Sequence, residues 1–325
     1  MRSFLTRRAA LAGLAMLATT PAPAQQPWAP SRPVRLVVGF PPGGATDVLA
    51  RWVGQQLGPR LGQPVVIENR PGANAALASQ YVQNAPPDGH VLLFTTADTH
   101  SVNPVVYRHL PYQPERFVPV AGIARLLFSL AVRPGLPARN LREFVALAKA
   151  APADKPLTYS TWGVGSTSQV MMETFAAETG IELTHVPYQG AAPAIQALVA
   201  EQVDAFMVPI GVATAQAGRV RILGLVHPQR FAGAPEVPTF AEQGFGLAGD
   251  LWFGILAPPG TPAPVVERIA REMHAFATSP EAPGFLTANG YVVDPADRAG
   301  FLAHVQADDA RWRERARRLG VVLDQ

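Results

Sequence analysis

Short apolar runs alternate with amphipathic stretches along most of this 325-residue chain. The runs at 34–40, 65–68, 91–96, 126–132, 157–160, 183–186, 205–208, 222–226 and 251–257 read as buried strands. Between them, 46–61, 75–84, 141–150, 166–178 and 192–201 carry apolar residues at helical spacing. Val48, Leu49, Trp52, Val53 and Leu57 form one such stripe. Strand–helix alternation predicts parallel sheets covered by helices on both faces. After residue 257 the pattern turns helical, over 262–278, 283–289 and 295–319. There is no internal repeat and no low-complexity linker, and most of the 33 prolines and 28 glycines punctuate element ends.

In open parallel sheets, ligands bind at the carboxyl ends of the strands. The loops to inspect are therefore 40–47, 69–74, 96–103, 160–168 and 187–191. In the first, an apolar run stops at Pro41-Pro42-Gly43-Gly44 and a helical pattern follows. Such a unit aims free backbone N–H groups at one point, which suits a carboxylate or another anion. No Gly-Lys-Ser/Thr follows, so it is not a phosphate-binding P-loop. An ordinary strand-to-helix turn with Thr46 or Asp47 as N-cap explains the same residues. Gly163-Val164-Gly165-Ser166-Thr167-Ser168 opens a second helix in the same way, with Ser166 as the expected N-cap. It lacks the third glycine and the downstream acid of a dinucleotide fingerprint.

The N-terminus changes the picture of where the chain acts. Arg2, Arg7 and Arg8 precede the apolar run 9–18, and Ala22-Pro23-Ala24 forms a small-x-small cleavage site. A signal peptide over 1–24 and export to the periplasm of a Gram-negative cell are expected. Thr6-Arg7-Arg8 is also compatible with a twin-arginine route. With those three arginines removed, 24 basic and 24 acidic side chains remain of the chain's 27 and 24. A neutral mature chain gives no support to a nucleic-acid partner. The arginines of 311–318 read as the solvated face of a terminal helix. With no cysteine there are no disulfides and no lipid anchor, so stability must come from core burial.

Catalytic motifs are absent. There is no Gly-x-Ser-x-Gly elbow, no cysteine nucleophile and no metal-spaced histidine pair. Neither a cofactor nor a metal is expected. His185, inside a strand-like run, reads as a packed residue. Asp98-Thr99-His100-Ser101 gathers polar groups in one loop, which keeps a hydrolase as the rival reading.

Several ordered segments carry a resemblance. They are Phe40-Pro41-Pro42-Gly43-Gly44 with Asp47 and Arg51, Glu68-Asn69-Arg70-Pro71-Gly72-Ala73, Asn103-Pro104 with Tyr107, Val186-Pro187-Tyr188-Gln189-Gly190, Glu236-Val237-Pro238-Thr239, Trp252-Phe253-Gly254 and Ala257-Pro258-Pro259-Gly260-Thr261-Pro262. Together they resemble the Bug-type extracytoplasmic solute receptors of tripartite tricarboxylate transporters. The resemblance implies a type II periplasmic binding protein, with two α/β lobes and a ligand cleft between them. It also implies a small carboxylate as ligand and a membrane permease as partner. The implied ligand-binding residues are Phe40, Gly43, Gly44, Ala45, Thr46 and Asp47 on one side. On the other they are Trp162, Gly165, Ser166, Thr167, Ser168, Tyr188 and Val208. Lobe 1 is expected over 25–124 and 252–325, and lobe 2 over 125–251. A monomer is expected.

Three positions depart from the pattern resembled. Trp162 stands where a small residue is usual, Val164 where an asparagine is usual and Val208 where an acid is usual. An aromatic or apolar carboxylate is therefore expected over an amino acid, because an ammonium group would want the missing acid. Packing of Trp162 at the lobe rim is the alternative. A ligand-sensing subunit without a transport role is equally compatible with this sequence.

Overall fold

The computed structural model describes residues 28–293 and 296–319. The expected signal peptide, with its arginine pair, lies outside these residues.

Among the described residues ten strands form one mixed sheet. They are β1 (Val34–Val38), β2 (Val65–Asn69), β3 (Val91–Thr96), β4 (Val118–Val132), β5 (Leu157–Thr161), β6 (Leu183–Pro187), β7 (Ala205–Pro209), β8 (Arg221–Val226), β9 (Asp250–Ala257) and β10 (Tyr291–Val293). The main path runs β2-β1-β3-β9-β4-β7-β5-β6, and β8 and β10 also pair with β4. Both flanks are parallel as the alternating pattern predicts: β1 with β2 and β3, and β5 with β6 and β7. The centre is not. β9 runs antiparallel to β3 and β4, and β4 runs antiparallel to β7 and β8.

β4 is longer than the apolar pattern predicts. Its first half contains Pro119 and Gly122, which read as strand breakers. The sheet absorbs them with register shifts against β9 at Pro119/Ala121 and Gly122/Ala124. Opposite them, a Cβ on Gly254 would lie 2.2 Å from Phe301 Cζ, so glycine is what lets that ring lie on the strands. Over Val118–Leu127 the partner of β4 is β9, and over Phe128–Val132 its partners are β7 and β8. One strand therefore runs through both halves of the sheet. β10 is a further strand that the pattern does not show, because three residues between two helices give too short a signal.

Among the described residues ten α-helices cover the sheet: α1 (Ala45–Leu61), α2 (Ala76–Gln83), α3 (Asn103–Val106), α4 (Leu141–Ala150), α5 (Thr167–Thr179), α6 (Ala191–Val199), α7 (Ile210–Thr214), α8 (Ala263–Ala277), α9 (Ala282–Ala288) and α10 (Arg298–Leu319). A π-helical turn, Asp98–Val102, joins β3 to α3. The apolar stripe of α1 is buried through Leu49, Trp52, Val53 and Leu57. Trp52 stacks on Phe285 of α9 at 4.4 Å and meets Phe276 of α8 edge-on at 5.4 Å. Such aromatic pairs add roughly 0.5–1.5 kcal/mol beyond burial. They fix α1, and with it the loop before it, on the C-terminal helices.

The turn before α2 is strained. Ala73, Asn74 and Ala75 have φ of 45°, 45° and 67°. Each such non-glycine residue costs on the order of 1 kcal/mol or more. The residue after β1 packs on this turn: a Cβ on Gly39 would sit 2.2 Å from Ala75 Cβ, so the two backbones touch. The strained turn delivers the Asn74 side chain to Asn103 Oδ1 at 2.8 Å, beside the π-helical turn.

Candidate functional site

Phe40, Pro41, Gly44, Ala45, Thr46, Asp98, Leu126, Trp162, Gly190–Pro193, Pro209, Leu251 and Phe253 line a partly open cavity. Most of the wall is apolar. Leu126 and Leu251, paired across β4 and β9, form part of it, and Pro209 at the end of β7 borders it. Two larger hollows share walls with it, one past Gly43 and Tyr291 and one past Asn74 and Tyr188.

Two helices begin at this cavity with unused amides. Gly44 is the N-cap of α1, in place of the expected Thr46 or Asp47, and no side chain caps the helix. The first intrahelical bond is Val48 N–H to Gly44 C=O at 3.0 Å, which leaves the N–H groups of Ala45 and Thr46 outside the helical ladder. Gly190 is the N-cap of α6, also without a side-chain bond. The first bond of that helix is Ala194 N–H to Gly190 C=O, at 3.4 Å. Pro193 has no N–H, so Ala191 and Ala192 offer the free amides there. Each helix start carries roughly half a positive charge, directed at whatever fills the space.

The loop before α1 is held by its own acid. Asp47 is buried, and its carboxylate accepts Gly43 N–H at 2.9 Å, Arg51 at 2.9 and 3.0 Å and Asn69 Nδ2 at 2.9 Å. Burial pushes this carboxyl up, but those bonds outweigh it and hold it below its ordinary value. Asp47 and Gly43 are thus spent on the loop and stand outside the cavity wall. Tyr291 donates its hydroxyl to Ala45 C=O at 2.6 Å and steadies the same turn from β10.

The start of α5 is arranged differently. Ser166 is its N-cap, as expected, and accepts Gln169 N–H at 3.4 Å. Gly165 N–H is taken by Gln169 Oε1 at 2.8 Å, and Thr167 N–H by Asp98 Oδ1 at 2.7 Å. Ser168 Oγ donates to Met207 C=O at 2.8 Å. Gly165, Ser166, Thr167 and Ser168 are buried with these partners, and none of them lines the cavity. Tyr188 borders the neighbouring hollow instead. Val208 is wholly buried in β7, where its carbonyl accepts Ser129 Oγ at 3.1 Å. Of the residues singled out in the sequence, Phe40, Gly44, Ala45, Thr46 and Trp162 come together at the cavity. Trp162 is 6% exposed and stacks on Phe128 at 5.9 Å. Its indole Nε1 is buried with no hydrogen-bond partner among the described residues.

Asp98 is the site residue whose role the sequence does not disclose. It is 1% exposed, yet it lines the cavity. Thr167 N–H, Thr96 Oγ1 at 3.1 Å and Asn74 Nδ2 at 3.4 Å donate to it, and all three are neutral. Burial holds its carboxyl above its ordinary value, and these bonds offset only part of that push. Beside it, Tyr107 donates to Val164 C=O at 2.9 Å. Burial and the Asp98 charge push that phenol up to about 12, so it stays protonated as the donor. The hydrolase reading loses its geometry here. Ser101 Oγ and His100 Nε2 are each buried without a hydrogen-bond partner among the described residues, and His100 Nδ1 is bonded to Thr99 Oγ1 at 2.7 Å. A nucleophile needs its base within hydrogen-bond reach.

Residues 49–321 match the model of the tripartite tricarboxylate transporter family receptor. The chain is 35% identical over 289 residues to a UPF0065 protein of Bordetella pertussis, covering 88% of each chain. It is similar to the solved structure of Rpa4515 of R. palustris with adipate, at 33% identity and a TM-score of 0.87, covering 90% of this chain and 99% of that one. Periplasmic binding protein BugD is 29% identical with a TM-score of 0.84, and 91% and 100% of the two chains are covered. The two-lobed α/β architecture of periplasmic binding proteins, expected from the sequence, is therefore the fold of this chain.

Proposed function

This chain belongs to the tripartite tricarboxylate transporter family of receptors, and we propose on that footing that it captures a small carboxylate with an apolar or aromatic body. The observation that carries the reading is the pair of uncapped helix starts, α1 and α6, facing one apolar cavity. Their amides suit a carboxylate, and Phe40, Trp162, Phe253, Leu126 and Leu251 suit the rest of the ligand. Adipate, bound in the R. palustris neighbour, is such a molecule.

Lobe 1 comprises 25–124 and 252–325, and lobe 2 comprises 125–251. The change of partners along β4 between Leu127 and Phe128 supports a crossing within a few residues of that boundary. The mature chain works as a monomer in the periplasm after cleavage near Ala24, and it hands its ligand unchanged to a membrane permease. BugD is described as periplasmic, and no helix among the described residues is long and apolar enough to cross a membrane.

A thermal-shift screen against aliphatic and aromatic carboxylates tests the reading. A ligand at a hundred times its Kd stabilises the folded state by about 2.7 kcal/mol. Absence of any shift, or recovery of a chemically altered ligand, refutes it. Competition decides the apolar preference, which fails if aspartate or glutamate binds as tightly as benzoate-like acids. Trp162→Ala asks whether the indole touches the ligand, and unchanged affinity for aromatic acids would leave it a packing role only.

A further inference from the structure

Asp98 presents a problem of charge that the protein does not solve internally. A carboxylate has about four acceptor positions. Here they meet one short bond from Thr167 N–H, one from Thr96 and one long bond from Asn74, all neutral. Burying an ionised group without a compensating charge is costly. The wall around it is otherwise apolar apart from Thr46 and the backbone amides. The position is nevertheless over-determined: the strained turn at Ala73–Ala75 brings Asn74 to it, and the start of α5 is committed to it. Costly features clustered on one buried acid at the edge of a ligand cavity point to recognition.

We propose that Asp98 is the second recognition point of this cavity and accepts an ammonium group of the ligand, so that the preferred solute is a zwitterion with an apolar body between its carboxylate and its ammonium. The proposal rests on the reading of the chain as a carboxylate receptor and deepens it. The ligand's carboxylate goes to the amides of Gly44, Ala45 and Thr46, and its ammonium to Asp98. The charge balance favours this class. The starts of α1, α5 and α6 supply together roughly one and a half positive charges, of which Asp98 offsets one once it is ionised beside the ligand's ammonium. A dicarboxylate would leave the site more than a full charge negative. A zwitterion adds no net charge and places its cation where the uncompensated anion is. A missing acid at Val208 then has no bearing on ammonium binding, because Val208 does not reach the cavity and Asp98 does.

Length-matched trios measured by calorimetry on the mature protein at pH 7.5 provide the test. Each trio holds a monocarboxylate, a dicarboxylate and an amino acid: butanoate, succinate and 4-aminobutanoate; hexanoate, adipate and 6-aminohexanoate; 4-methylbenzoate, terephthalate and 4-(aminomethyl)benzoate. In at least one trio the amino acid should bind tenfold or more tightly than both partners. In Asp98→Asn that ratio should fall to unity or below, with the dicarboxylate gaining. The wild-type ratios are informative by themselves, so the test survives a poorly folded variant. Carboxylates that bind with no amino-acid preference in any trio would overturn the role of Asp98 and leave the receptor reading standing. A preference that persists in folded Asp98→Asn would overturn it too. Failure of every trio and of the wider carboxylate screen would overturn the receptor reading beneath it.

Discussion

Replacing Gly44 by proline isolates one backbone amide. The N-cap residue has φ −80° and ψ 169°, within reach of the proline ring. A Cβ at this position would meet nothing closer than Pro41 O at 3.8 Å. Gly43, which precedes it, keeps its N–H on Asp47 at 2.9 Å. What the substitution removes is the Gly44 N–H, which has no backbone partner among the described residues and borders the cavity. A hydrogen bond to a charged group is worth roughly 1.5–3 kcal/mol. The expected loss in carboxylate affinity is therefore about tenfold to about a hundredfold. Gly44→Ala keeps the N–H and is the control for side-chain bulk. Calorimetry with the best ligand of the screen, beside a thermal melt for fold, makes the measurement. Folded Gly44→Pro that binds within a factor of about two of wild type would refute the amide site. So would Gly44→Ala, if it lost as much as the proline, because bulk would then be the cause.

Ser166→Ala should lower stability by about 1 kcal/mol through loss of the α5 cap, with ligand affinity unchanged; calorimetry and urea melts separate the two, and a binding defect would return the serine to the ligand. Asp47→Asn should cost about 2 kcal/mol, less than a fully buried pair because Arg51 is half exposed, and should weaken binding by loosening the Gly43 turn. The folded-state carboxyl of Asp47 lies below its unfolded value, so this stabilisation is present above about pH 4 and is lost as pH falls through the lower folded value. Burial lowers His100 to about 3, so the unfolded chain takes up this proton first, below about pH 6.5. Its share of stability should fall by about 1.4 kcal/mol per pH unit from there toward 3, and a His100→Gln melt series that keeps the full wild-type acid slope over that window would disprove it.

How far the sequence can be read follows from where each signal is local. The turn at Pro41–Gly44 is legible because residue types alone dictate that a strand ends and a helix begins there. The anion-suited start of α1 comes with it. The sequence places the second start at α5, where the Ser166 cap is right but the amides are spent on Gln169 and Asp98. The free start belongs to α6, behind Gly190, where no side-chain signal marks it. Asp98 can be seen as polar but not as part of the wall. Its direction depends on β3 pairing with β9 and on α5 arriving from 69 residues away. The doubt about an ammonium at Val208 arises from the same gap, because period-2 alternation says that faces differ but not which face meets the ligand. Antiparallel β4 and β9 escape for a related reason: alternation predicts local βαβ units, whereas these strands are set by pairings across half the chain.

Those two strands also place the proposed ligand at the junction between the two halves of the sheet. Leu126 and Leu251 are register partners, and both line the cavity. One step on, Leu127 meets Asp250, the first residue of β9, and at Phe128 the partners of β4 become Pro209 of β7 and Val226 of β8. Pro209 lines the cavity as well. A ligand bound as proposed would rest on the residues where β4 exchanges one set of partners for another, with its anionic end on α1 and α6, which belong to opposite sides of that exchange. Ladder hydrogen bonds resist sliding far more than a slight change of twist, so the junction is suited to act as a hinge rather than as a shear plane. The Cβ of any residue at Gly190 would lie 3.1 Å from Pro41 Cδ, so the loops before α1 and α6 already meet around the space. A carboxylate bridging the two helix starts would favour the closed pairing by its differential contacts alone.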